Sequence, residues 1–254
     1  MTTTRPPMTD VVAVHWDAPV ARVAMQDAAN GNRITPALRE TLPAVLRDAA
    51  ARPDIRAIVL TGLPNIFCAG GTREDLVAEG EARTPAGWDF VRAAAECPLP
   101  VVAAVQGHAI GGGLLLALYA DAVVLSEDSS YAANFLTYGF TPCLGATALL
   151  PSSLGPVLGT EMLYTGRPYR GRELADRGAQ ILVTGHDQVV PRALAMARRI
   201  AAAPRATLRL LKGQLSAPAR ERALSALHDE LANHKATLAS AEAQQRIAAL
   251  YPAG

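Results

Sequence analysis

Continuous and alternating apolar runs divide this chain into a β-rich first part and a helical last part. Val11-Val12-Ala13-Val14 and Val20-Ala21-Arg22-Val23-Ala24-Met25 are β-rich, and Asp17-Ala18-Pro19 between them supplies a turn, which predicts an antiparallel pair. A helix over 35–51 follows. Thr35-Pro36 provides an N-cap residue and a proline for the first turn, and Leu38, Leu42, Val45, Leu46 and Ala49 recur at helical spacing. Buried strands are predicted over 55–61, 101–105 and 122–125, the first two leading into glycine-containing loops. Strands alternating with helical patterns indicate βα units and a largely parallel sheet, which directs ligand chemistry to the loops beyond the strand ends.

After about residue 153 one short strand is predicted, over 180–184, among helices over 156–165, 170–177, 188–202 and 219–250. The last segment is long enough to leave the core and reach across the surface or toward another subunit. No repeat or low-complexity tract interrupts the 254 residues.

Composition sharpens this picture. Half of the residues are apolar but only four are Phe, six Tyr and two Trp, so Ala, Val, Leu and Ile must build the core. With 24 Lys and Arg against 23 Asp and Glu, the formal charge of +1 provides no broad field for nucleic acid. Cys68, Cys97 and Cys143 are too few and scattered for a disulfide framework or a cysteine-based zinc site, and no metal is expected. A reducing cytoplasm is the expected setting. The N-terminus lacks the apolar stretch of a signal peptide, and the longest charge-free apolar run, 109–120, is too short to span a bilayer.

The candidate chemistry lies in Phe67-Cys68-Ala69-Gly70-Gly71-Thr72 and Gln106-Gly107-His108-Ala109-Ile110-Gly111-Gly112-Gly113. Glycine lets a ligand approach the main chain, and a helix start leaves N–H groups unpaired at its positive end. The glycines alone leave two readings open: a pair of tight turns, or two donors converging on a carbonyl oxygen as an oxyanion hole. Neither a G-x-G-x-x-G turn after a strand nor a G-x-x-x-x-G-K-[ST] phosphate loop is present.

These two strings, about forty residues apart and followed by Ala120-Asp121, resemble the enoyl-CoA hydratase/isomerase, or crotonase, superfamily. The resemblance extends to the Thr-Pro-Ala-Leu helix start, Tyr138-Gly139-Phe140-Thr141-Pro142, Leu163-Tyr164-Thr165-Gly166 and the alanine-rich C-terminal helices. It implies an α/β, crotonase-like spiral of ββα units over 1–195. A helical region over 196–254 would complete the active site or the contacts of a homotrimer or dimer of trimers.

By the same resemblance, the N–H groups of Gly71 and Gly112 form the oxyanion hole. The two glutamates of hydratases fall on Leu115 and Phe135, so the acid/base pair that activates water is missing. Met25-Gln26-Asp27, Gly70-Gly71-Thr72, Ala132-Ala133-Asn134-Phe135 and His234 look like the β-branching decarboxylases of bacterial polyketide pathways. That subgroup implies loss of the distal carboxylate from a 3-methylglutaconyl-type thioester on an acyl carrier protein, with no cofactor.

His234 lies beside the apolar stripe of Leu224, Leu227, Leu231 and Leu238. A histidine there serves packing or a site; the resemblance assigns it the carboxylate and the proton. Leu115, Phe135 and Phe140 are expected to line an apolar substrate pocket. Some members of the subgroup add a tyrosine and a lysine after the first oxyanion glycine, but here Asp75 and Glu79 stand nearest, and the only lysines are Lys212 and Lys235. Arg73 or Arg83 could bind the carboxylate instead, and Arg73 has the alternative of a solvated side chain. Arg22, Arg33 and Ala69 are expected on the carrier and pantetheine side. His108 and His228 are expected to make structural hydrogen bonds, and Cys68 to be a small buried residue. An isomerase of enoyl thioesters and a non-catalytic binding protein remain alternatives, the latter because lost glutamates can mean lost catalysis.

Overall fold

In the computed structural model, which describes residues 10–78, 85 and 87–251, the predicted hairpin forms β1 (Val12–Asp17) and β2 (Val20–Met25), paired antiparallel with Val12 opposite Met25. Helix α1 (Pro36–Ala51) starts where its sequence requires. Thr35 accepts a hydrogen bond from Leu38 N at 3.3 Å, and Pro36 opens the first turn. The chain continues through β3 (Ala57–Thr61), β4 (Ile66–Cys68), α2 (Arg73–Ala78), the single turns α3 (Trp88–Val91) and α4 (Ala93–Glu96), β5 (Val101–Val105) and β6 (His108–Ile110). Then come α5 (Gly112–Leu118), β7 (Ala122–Ser126), β8 (Ser130–Ala132), α6 (Ala146–Leu154), α7 (Pro156–Thr165), β9 (Tyr169–Arg170) and α8 (Gly171–Asp176). The last elements are β10 (Leu182–Thr184), α9 (Val189–Ala201), α10 (Arg205–Leu238) and α11 (Ala241–Leu250).

Six strands form one sheet in the order β1-β2-β3-β5-β7-β10, parallel from β2 onward. Every residue of β3 and β5 is buried, as continuous apolar runs require of strands covered on both faces. Helix α9 covers one face: Val189, Ala193, Ala197 and Ala201 recur at four-residue spacing against Val20, Val59, Val102 and Val124. The expected division after residue 195 falls inside this helix. Helix α1 serves the larger core on the opposite side with Leu38, Leu42 and Leu46, each side chain worth about 1.5–3 kcal/mol of burial.

A second, four-stranded sheet in the order β4-β6-β8-β9 positions the site. Its strands are two or three residues long, too short for a periodic signal, and the sequence reading missed them. Because β4 and β6 are parallel neighbours, the glycine-rich loops that follow them leave the same end of the sheet side by side.

The C-terminal region differs from expectation at both ends. Helix α10 begins at Arg205 and runs through Pro218 to Leu238, and a break at Ala239 separates α11, capped by Ser240 accepting from Ala243 N at 3.2 Å. Three polar side chains pin α10 to its own chain. Lys212 Nζ donates to Asp121 at 2.6 Å and to Ala94 O at 3.0 Å; Glu230 and His234 bind the segment before α6. Among the described residues no helix is long and apolar enough to cross a membrane.

Candidate active site

The crossing of the two glycine loops is the foundation of the site. Gly70 has a φ of +87°, and a Cβ there would lie 2.8 Å from Ile110 O and 3.9 Å from Gly112 N. Only glycine permits both the conformation and the approach. Gly113 packs as closely, a Cβ there lying 2.3 Å from Cys68 O, so the start of α5 is pressed onto the end of β4. Among the described residues the N–H groups of Gly71 and Gly112 meet no acceptor. That of Gly112 also belongs to the first turn of α5, whose N–H groups lack intrahelical partners. Two adjacent bare donors can receive the oxygen of a thioester and hold the charge that develops there.

A third loop is stitched to them. Asn32, buried with a φ of +51°, donates its amide to Met25 O at 3.2 Å and Phe67 O at 3.0 Å and accepts from Asp27 N at 2.8 Å. Ile34 N donates to Gly70 O at 2.8 Å. Residues 32 and 34 are thereby fixed, and Arg33 between them faces the loops: its Nη1 lies 3.5 Å from Gly71 O. The same carbonyl accepts a 2.7 Å hydrogen bond from the Tyr251 hydroxyl, contributed from 180 residues further along the chain.

These loops open onto a cavity of about 260 Å³ lined by Ile34, Ala69, Gly71, Gly112, Phe135, Phe140, Leu144, His234 and others. One wall is a row of rings. Arg33 lies 5.4 Å over Tyr251, Tyr251 is 4.9 Å from Tyr138, Tyr138 stacks 6.3 Å from Phe140, and Phe140 meets the His234 ring edge-on at 5.5 Å. His234 is buried, and its Nδ1 donates to Thr141 O at 2.7 Å. Because the partner is a carbonyl, Nδ1 carries the proton in the neutral ring, and a proton on Nε2 makes it an imidazolium. Thr141 is itself held by α10, its N donating to Thr237 Oγ1 at 3.0 Å.

Burial governs the other titratable groups. The Tyr251 hydroxyl is pushed up to about 12 by desolvation, which keeps it a donor to Gly71. Burial likewise pushes the Cys68 thiol up to about 12, which removes it as a nucleophile and agrees with a packing role. His108 Nδ1 accepts from Ser130 N at 2.9 Å, the structural role expected of it.

Of the expected site residues, the structure brings Gly71, Gly112, His234, Phe135, Phe140, Ala69 and Arg33 to one cavity. Leu115 is a correction. It is fully buried in the core, on a helix with no solvent face, and lies outside the lining; it closes the interior where a glutamate would have needed a polar partner. Arg73 is a second correction, because it stands half-buried on α2 and is not among the residues that line the cavity. Arg33 is the arginine inside, while Arg22 lies on β2 opposite His15 and does not reach it. Leu224 is exposed and leaves the apolar stripe to Leu227, Leu231 and Leu238. Glu79 and Arg83 lie outside the described residues. The sequence reading missed Asn32, Ile34 and Tyr251. The signal at Asn32 and Ile34 was their place just before the Thr35 cap; Tyr251 carried none, because its contact is purely tertiary.

Among the described lining residues the only carboxylate is Asp75, and Arg39 pairs with it at 3.2 Å. Among the described residues no cluster of three His, Cys, Asp or Glu could hold a metal ion.

The enoyl-CoA hydratase/isomerase family model matches residues 16–251. The chain is 37% identical over 242 residues to the Bacillaene synthase decarboxylase PksI of Bacillus subtilis, covering 95% of this chain and 97% of that protein. The ECH2 decarboxylase domain of CurF from Lyngbya majuscula superposes with a TM-score of 0.89 at 35% identity, covering 96% of this chain and all of that one. A structure from a dehydratase/decarboxylase enzyme couple of polyketide β-branching gives a TM-score of 0.90 at 36% identity over 96% of this chain.

Proposed function

The chain belongs to the enoyl-CoA hydratase/isomerase family, and we propose that it decarboxylates a 3-methylglutaconyl-type thioester borne by an acyl carrier protein in polyketide β-branching. One observation carries this reading. Two bare backbone donors and a buried histidine share a cavity whose described lining holds no glutamate and only one, ion-paired, carboxylate. Hydration of an enoyl thioester calls for acid/base carboxylates, whereas loss of CO2 begins without a general base. The relatives named as decarboxylases of this chemistry support the same choice.

The thioester oxygen is taken up by the N–H groups of Gly71 and Gly112. Cleavage of the bond between C4 and the distal carboxylate releases CO2, and its electron pair moves through the C2–C3 double bond onto the thioester oxygen as a dienolate. The two donors face the atom on which charge accumulates, so they bind the transition state more strongly than the substrate. Phe135 and Phe140 exclude water from this region. The imidazolium of His234 then gives its Nε2 proton to the dienolate. Protonation at C4 yields the 3-methylcrotonyl thioester, and protonation at C2 its β,γ isomer.

A homotrimer is part of this proposal. Leu210 and Leu215 on α10 are 72% and 68% exposed, apolar surface suited to another copy of the chain. Basic residues outside the cavity, Arg22 among them, are assigned to the acidic carrier protein, and three buried cysteines that form no disulfide among the described residues suit a reducing cytoplasm. Intact-mass spectrometry of a carrier protein bearing 3-methylglutaconate tests the reaction. Loss of one CO2 on incubation is the expected result; an unchanged mass with both the carrier-bound and the CoA thioester would refute it.

A further inference from the structure

The charge inventory of the cavity contains one group the mechanism above leaves unused. Among the described lining residues the acidic and basic side chains are Arg33, Asp75 and His234. Asp75 is paired with Arg39 at 3.2 Å, and His234 is engaged with Thr141 O at 2.7 Å. Arg33 has no carboxylate within ion-pair distance among the described residues. Its contacts include Gly71 O, 3.5 Å from Nη1, and Tyr251, whose ring it overlies at 5.4 Å and whose hydroxyl it also meets. A guanidinium offers five N–H donors in a plane that matches a carboxylate, and a long bond to one carbonyl leaves most of that capacity unused.

The root of this side chain is fixed. Asn32 bridges Met25 O and Phe67 O on one side, and Ile34 N binds Gly70 O at 2.8 Å on the other. The cation is therefore held beside the oxyanion loop and inside a mostly apolar lining, where an ion pair gains strength from partial exclusion of water. In a five-carbon diacyl chain the second carboxylate stands four carbon–carbon bonds from the thioester carbon, roughly 5 Å.

We infer that Arg33 is the binding site for the distal carboxylate of the substrate, so that this cavity selects short thioesters with an anionic far end. The inference rests on the reaction proposed above. It divides the work between the two ends of the ring row: Arg33 orients the carboxylate and His234 supplies the proton. A phosphate of the carrier's pantetheine arm shares the same anionic chemistry, and thioesters of N-acetylcysteamine, which carry no phosphate, separate the two.

The test is calorimetric titration of the wild type, Arg33→Met and Arg33→Lys with glutaryl- and butyryl-N-acetylcysteamine. Both are saturated and cannot undergo the vinylogous loss of CO2. The wild type is expected to favour the glutaryl thioester by about 10- to 100-fold, the range of a charge-assisted pair. Arg33→Met is expected to abolish that preference with unchanged affinity for the butyryl thioester, and Arg33→Lys to restore part of it. The unchanged butyryl affinity also serves as the check that the variant is folded. A preference that survives in Arg33→Met overturns the inference. So does an effect confined to phosphopantetheine thioesters, which would make the phosphate the ligand. A wild type that prefers glutaryl through Arg33 yet releases no CO2 from the 3-methylglutaconyl thioester would uphold the anion site and refute the decarboxylase.

Discussion

Replacing Glu230 on α10 would test how the last long helix holds the site together. Its carboxylate is buried and accepts from Gly145 N and Thr147 N, both at 2.8 Å, and from Thr147 Oγ1 at 2.7 Å. The acceptor stands at the first turn of α6, whose unpaired N–H groups and positive dipole end favour an anion. Glu230→Ala orphans the two N–H groups, at about 1–3 kcal/mol each, while the Thr147 hydroxyl can rotate to another partner. Water admitted to the vacated space recovers part of this, which leaves a loss of about 3–4 kcal/mol. For a chain of this size each kcal/mol moves the midpoint by about 2–4 °C, so a fall of about 10 °C is expected. Glu230→Gln keeps one acceptor but turns an amide donor toward an N–H group, and should fall between. Thermal unfolding followed by circular dichroism, at one protein concentration and scan rate, measures both variants. A Glu230→Ala midpoint within 2 °C of wild type, roughly the shift of a kcal/mol or less, would refute the reasoning.

Other expectations follow from the same contacts. Gly70→Ala meets both a positive φ and a Cβ 2.8 Å from Ile110 O, and the displaced loop should lower kcat about 100-fold; retained activity would show that the loop relaxes. Tyr251→Phe removes the 2.7 Å bond to Gly71 O, and steady-state kinetics should show a several-fold drop in kcat, in line with about 1 kcal/mol, with little change in KM. All three cysteines are buried, with Cys68 and Cys97 pushed up to about 12 and 11 by desolvation, so a thiol reagent at pH 8 should label the native protein slowly and all three sites only after unfolding. Sedimentation analysis should find a trimer in the wild type, and charged replacements at Leu210 and Leu215 should dissociate it.

The elements with strong periodicity were legible before any coordinates. The 35–51 helix emerged with its Thr35 cap and its Leu38, Leu42 and Leu46 face, and the continuous apolar runs of β3 and β5 became central strands. The second sheet was not legible, because three residues such as Ile66–Cys68 contain no repeat to count. Helix α10 was read too short at its start: Ala217-Pro218 looks like a helix beginning, yet the tertiary anchor at Lys212 carries the helix through it. The candidate site divides the same way. Gly71, Gly112 and His234 were reached through the family resemblance, because glycine spacing alone also fits tight turns and a place beside the stripe also fits a packing histidine. Tyr251 and Arg33 meet on one carbonyl across more than two hundred residues, a coincidence that local sequence does not encode. Leu115 misled because sequence position gave the residue without the direction in which its side chain packs.

Single-turnover decarboxylation in D2O tests the central claim most directly, with carrier-bound 3-methylglutaconate mixed with excess wild-type protein or His234→Ala and quenched for mass spectrometry. The dienolate account requires that the wild-type product lose one CO2 and gain one deuterium at carbon, and that His234→Ala form product at least about 100-fold more slowly. Product formed by His234→Ala at the wild-type rate, or CO2 lost without deuterium gained at carbon, would contradict it.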